Sequence, residues 1–172
     1  IRSLGYFQFL YVTGCRSNGP LFVTQDDMVW YPDKLCLLTL RNEFKSGRKV
    51  NIRKPVYCNI VPNKDTTVCA LIDIANLLSI SHNEQFPFCL GFKTSAERTR
   101  KSITISCTRR YSAILLITVI AIGKPRVFEP KLLHAFRNLT NKVLINNGAT
   151  DFQITSHVGW QPTVRSRHYT DQ

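Results

Sequence analysis

One ordered spacing near the end of the chain constrains its fold more than any other feature. It reads His134-Ala-Phe-Arg137, then Asn147-Gly148, then Val158-Gly159-Trp160, then His168-Tyr169. Pro130 suits the first turn of a helix and Asn147-Gly148 its end, so a helix is predicted between them. On that helix Leu132, Phe136, Leu139 and Val143 fall on one face, and His134, Arg137 and Asn141 on the opposite one. The expectation is that the apolar face packs while the polar face stays open to a ligand.

With 172 residues and 44% hydrophobic content the chain is expected to be one domain with a sizeable core. Its 23 Lys plus Arg against 11 Asp plus Glu give a formal charge of +12, suited to a polyanionic partner such as nucleic acid or an anionic membrane surface. The six cysteines, at 15, 36, 58, 69, 89 and 107, show no Cys-x-x-Cys and no zinc-like pairing with His. They read as reduced, partly buried thiols of an intracellular protein, and no metal or cofactor is expected. The longest apolar run, Ala113 to Ile122, is half of what a bilayer span needs and carries Arg109, Arg110 and Lys124 at its flanks. It is expected to be a buried helix. Ile1 is neither an initiator Met nor part of a signal-peptide pattern, so a fragment of a longer chain is expected.

Along the chain, Leu4 to Val12 reads as the end of a helix stopped at Thr13-Gly14, and a second helix is expected from Pro20 through Thr24. Leu35 to Leu40 and Lys49 to Ile52 are strand-like runs around a turn with Gly47 at its tip, giving a hairpin or two successive strands, with Pro55 and Pro62 marking the exit. Asp65 to Leu78 carries a helical stripe of Val68, Leu71, Ile72, Ala75 and Leu78. Phe86 to Phe92 is a short aromatic segment. Lys93 to Arg110 is basic and rich in Ser and Thr, and reads as a mobile connection or a strand-turn excursion before a helix from about Arg110 to Ile122. No repeat or linker is visible.

Two upstream segments complete the pattern. Tyr11-Val-Thr13-Gly14-Cys15-Arg16 is followed by Asp27 and Met28, and Phe44-Lys45-Ser-Gly47-Arg-Lys-Val50 follows later. Together with the ladder from His134 to Tyr169 they resemble the catalytic domain of the tyrosine recombinases, the phage-integrase family. The resemblance spans essentially the whole chain, weakest from about Thr66 to Phe128. It implies an α+β fold, mainly helical with a small antiparallel sheet near Leu35 to Ile52. It also implies an N-terminal helical domain, not present in these 172 residues. Six positions match in order: Arg16, Lys45, His134, Arg137, Trp160 and Tyr169. Gly19 stands where many members have Glu, and Asn138 where many have a second His; Trp in place of His at position 160 is a known choice.

The roles implied by this resemblance follow from the chemistry of cutting a phosphodiester without metal or ATP. Tyr169 would be the nucleophile that forms a 3′-phosphotyrosyl link. Arg16 and Arg137 would clamp phosphate oxygens with forked donors. Lys45 would protonate the leaving 5′ oxygen, His134 would bond the phosphate or accept the tyrosine proton, and the Trp160 indole N–H would donate to a phosphate oxygen. The partner would be double-stranded DNA, bound by a homotetramer of the full-length protein in the nucleoid or nucleus. Arg98, Arg100, Lys101, Arg109 and Arg110 are candidates to follow the DNA backbone. A type IB topoisomerase or hairpin telomere resolvase would share the nucleophile and clamp, and a catalytically decayed recombinase fold would bind DNA without cutting it.

Overall fold

Helix α1, Arg2–Thr13, ends as expected: Gly14 takes the left-handed conformation, φ 57° and ψ 19°, and its N–H bonds the Leu10 carbonyl at 2.9 Å. The computed structural model that shows this describes residues 1–34, 36–41, 56–81, 87–88, 100–122 and 133–158. Gly5, Tyr6, Phe9, Leu10 and Thr13 form the buried face of α1. The predicted helix from Pro20 through Thr24 is instead a single 3-10 turn, Pro20–Phe22, followed by another, Gln25–Asp27. Thr24 divides them because its backbone N–H and hydroxyl both donate to Asp27 Oδ2 at 2.9 Å, a local bond that competes with continued helix.

A three-stranded antiparallel sheet follows: β1 Met28–Tyr31, β2 Cys36–Arg41 and β3 Val56–Ile60, in the order β1-β2-β3. Thr39 pairs with Met28 on one side and Cys58 on the other. The small antiparallel sheet was legible, but its membership differs from the sequence reading. β1 adds a strand, and β3 lies between Pro55 and Pro62, where prolines bound a strand rather than exclude one. The run Lys49 to Ile52 lies outside the described residues.

Helix α2, Ala70–Ile80, starts later than the predicted Asp65, after a 3-10 turn at Thr66–Val68, and only Leu71 and Leu78 of the predicted stripe pack against the core. Ala70, Ile74 and Leu77 are buried, while Val68 and Ile72 are 49% and 41% exposed and Ala75 is exposed. Its sequence is apolar nearly all round, so periodicity could not select the face; α1 does, with Gly5 lying against Leu77. At its N-terminus burial pushes the Cys69 thiol up, but backbone N–H groups of Asn63, Ile72 and Leu71 outweigh this and hold it below its ordinary value. Cys15, Cys58, Cys69 and Cys107 are buried thiols outside any disulfide, and no cluster able to hold a metal ion occurs among the described residues.

Asp73 in the first turn of α2 has its Oδ2 buried without a partner. Desolvation raises its pKa above the ordinary carboxylate value. A carboxyl raised on folding stabilises below its unfolded pKa, and that stability is lost as pH rises through the folded value. Asp73→Asn is therefore expected to raise the melting temperature at pH 7, with the gain shrinking as pH falls from the raised folded value towards 3.8, the ordinary value. A pH series of thermal melts checks it.

Helix α3, Arg100–Ala121, starts ten residues earlier than predicted, so the second half of the supposed basic connection is helical. Ser and Thr argued for a turn, but Cys107, Tyr111, Ile114 and Leu115 form one continuous stripe against the core. The Tyr111 ring stacks on Tyr6 with centroids 3.6 Å apart and planes within 2°, and its hydroxyl donates to the Phe88 carbonyl. Tertiary packing outweighs local propensity here. The run Ala113 to Ile122 is not the buried helix expected, since Ile117 and Ile122 are 66% and 64% exposed and only a narrow stripe packs. No helix among the described residues is long and apolar enough to cross a membrane.

Helix α4, His134–Asn146, begins at the ladder's histidine and ends at Asn147-Gly148, where Gly148 at φ 75° lets Ala149 bond back to the Leu144 carbonyl. Pro130 lies outside the described residues. Helix α5, Asp151–Val158, completes the chain's described part. Phe7 stacks on Phe136, joining α4 to the core formed by α1, α2 and α3.

Candidate functional site at the meeting of α1, α4 and α5

The polar face of α4 is the buried one, opposite to the sequence reading. Arg137 is 2% exposed and Asn141 1%, with Thr140 also buried, whereas Leu139 and Val143 are 49% and 37% exposed. Unmet helix ends explain the inversion. The last carbonyls of any helix lack intrahelical donors, and here the neighbouring elements supply them. The Thr140 hydroxyl donates to the Tyr11 carbonyl in the last turn of α1. His157 Nε2 lies 2.8 Å from the Val12 carbonyl one residue on, which as an acceptor places a hydrogen on Nε2. Arg137 Nη2 donates to the Val158 carbonyl at 3.1 Å, putting a cation at the negative end of α5.

Gly14 makes this approach possible. A Cβ there would meet Thr140 Cγ2 at 3.2 Å and Val158 Cγ2 at 3.4 Å, so α4 and α5 both press on the position. Two residues later comes Arg16, half-buried, whose carbonyl accepts from Gly19 N at 2.8 Å. Gly19, where the resemblance led one to look for Glu, has no room for a side chain: a Cβ would lie 3.0 Å from both the Arg16 carbonyl and Cys15 Sγ. The Thr13 hydroxyl donates to the Phe9 carbonyl and receives Cys15 N, fixing the exit of α1.

Of the residues named from sequence, three lie on the elements that meet here. Arg16 leaves the α1 cap, His134 opens α4 half-buried, and Arg137 lies one turn further on. Lys45, Trp160 and Tyr169 lie outside the described residues. Of the basic candidates, Arg109 and Arg110 are exposed on α3, Arg100 and Lys101 lie in its first turn, and Arg98 lies outside the described residues. Thr140 and His157 were not among the site residues named from sequence. Their signal was their place within one helical turn of Arg137 and Val158. Chemically, an arginine from the α1 exit, with a second arginine and a histidine from α4, is a donor set matched to a tetrahedral oxyanion such as phosphate.

No protein-family model matches the chain, and no curated protein matches it in sequence. Among solved structures, XerH site-specific recombinase bound to difH substrate, in a pre-cleavage complex, superposes with a TM-score of 0.63 at 16% identity. The match covers 98% of this chain and 42% of that one, so the chain spans less than half the length of the recombinase it resembles. The chain has an α+β fold similar to that of this site-specific recombinase.

Proposed function

We propose that this chain is the catalytic domain of a site-specific DNA recombinase that breaks and rejoins DNA through Tyr169. The reading is supported by a fold similar to that of a site-specific recombinase, together with Arg16 at the exit of α1 and His134 and Arg137 on α4, the helix that packs against that exit. In this reading Tyr169 Oη passes its proton to His134 and attacks the phosphorus, the P–O bond to tyrosine forms as the bond to the 5′ oxygen breaks, and Lys45 gives that oxygen its proton. The arginines, joined by His134 and Trp160, hold the negative charge that develops on the phosphate. Arg137, bonded to the Val158 carbonyl in the DNA-free form, would turn its forked donors to the phosphate. The +12 charge, with Arg98, Arg100, Lys101, Arg109 and Arg110 among its sources, suits the DNA backbone, and assembly as a homotetramer on DNA goes with the reading.

The test uses the full-length protein and a suicide duplex, nicked beside the scissile phosphate, taken from the inverted repeats flanking its gene. A covalent protein–DNA adduct is expected, and Tyr169→Phe should abolish it while DNA affinity stays within about twofold. An adduct that survives Tyr169→Phe would remove the nucleophile assignment. DNA binding without any adduct would favour a decayed recombinase fold, a reading that Gly19 and Asn138 keep open. Relaxation of supercoiled DNA without site preference would favour a type IB topoisomerase.

A further inference from the structure

Asn141 is buried to 1% exposure, and neither its Oδ1 nor its Nδ2 has a hydrogen-bond partner. A buried amide with both ends unmet is costly and rare, so it calls for an explanation. Its surroundings supply one. Asn141 lies one helical turn from Arg137 on the same face of α4, where residues four apart are neighbours. Val158 sits over this stretch: its carbonyl receives Arg137 Nη2, and its Cγ2 and the Thr140 Cβ would each lie 3.4 Å from a Cβ on Gly14. An unmet acceptor and an unmet donor therefore lie one helical turn from the arginine that holds the Val158 carbonyl.

We infer that Asn141 is a positioning residue for Arg137, the group that takes over its hydrogen bonds when the guanidinium turns to a DNA phosphate. In the DNA-free form Arg137 is tied to Val158 and the amide is idle. On engagement with phosphate, Asn141 Oδ1 accepts an N–H from the guanidinium and Nδ2 donates to the vacated Val158 carbonyl. Both polar groups left bare by the movement are then met, and α5 keeps its cap. The amide is unsatisfied in one state because it serves the other, the pattern expected where function overrides local stability.

This inference rests on the recombinase reading above, and the experiment separates the two. Asn141→Leu keeps the branched outline, with bulkier methyl groups, and removes both polar atoms; Asn141→Ala removes the amide and leaves space. Each is made in the full-length protein and compared with wild type in three readouts: melting temperature without DNA, affinity for the suicide duplex, and rate of adduct formation. The expected result is a melting temperature unchanged or raised in Asn141→Leu, affinity within about twofold, and adduct formation slowed by about tenfold or more. A purely structural residue would move stability and rate in the same direction. Adduct formation at the wild-type rate in a folded Asn141→Leu protein overturns the positioning role alone, as does a rate that falls only in step with melting temperature. Absence of an adduct from wild type overturns the recombinase reading and this role with it.

Discussion

Replacing Arg137 by Ala is expected to cost the protein about 2–4 kcal/mol of stability and to remove adduct formation altogether. Arg137 is among the largest fully buried side chains of the molecule. Truncation leaves a cavity where a guanidinium and its stem stood, and it strips the Val158 carbonyl of a charge-assisted donor at the end of α5. Against these losses stands the desolvation of a buried cation, which truncation relieves. The cavity and the bare carbonyl outweigh it because Arg137 is held among packed helices. Arg137→Met separates the two functions of the residue. Methionine fills most of the volume without charge, so urea unfolding should show a smaller loss than for Ala, near ~1–2 kcal/mol. Adduct formation should remain absent in both variants. Arg137→Lys keeps the charge but loses the fork matched to phosphate, and should restore stability more than cleavage. A Met variant that cleaves at the wild-type rate would confine Arg137 to a structural role.

The sequence made the general architecture legible, because caps and turns are local. Thr13-Gly14 ended α1, Asn147-Gly148 ended α4, and both glycines adopt positive φ. Which face of each helix turns inward was not local and was misread twice. On α2 nearly every position is apolar, so the choice belonged to Gly5 and the side of α1 that it opens. On α4 the apolar stripe of Leu139 and Val143 is exposed and the polar residues are inside, because the ends of α1 and α5 need donors that only the polar face offers. Hydrophobic periodicity counts apolar burial and is blind to unmet carbonyls. The same blindness hid the first half of α3, where Tyr111 finds a stacking partner in Tyr6, 105 positions away. Arg16, His134 and Arg137 were singled out by type and spacing, and the structure adds the packing of the elements that carry them: Thr140 and Val158 against Gly14, and His157 on the Val12 carbonyl.

Gly14 is where the fold and the proposed chemistry share one constraint, and its substitution is expected to damage both. Any other residue must adopt φ 57°, which costs an L-residue about 1 kcal/mol or more. Its Cβ must also fit against Thr140 Cγ2 at 3.2 Å and Val158 Cγ2 at 3.4 Å, both on packed helices with little freedom to withdraw. Gly14→Ala should therefore lose about 2 kcal/mol and Gly14→Val about 3–4 kcal/mol, measured by urea unfolding. Gly148 supplies the control, because it shares the backbone conformation, with φ 75°, but a methyl group added there would meet no atom within 4 Å. Gly148→Ala should cost only the conformational part, about 1 kcal/mol, and leave adduct formation on the suicide duplex unchanged. Gly14→Ala should slow it by about tenfold or more at a temperature where the variant is fully folded, since spreading α1 from α4 separates Arg16 from Arg137. Equal effects of the two glycine substitutions on cleavage would mean that the close packing at Gly14 serves stability and has no part in aligning the arginines.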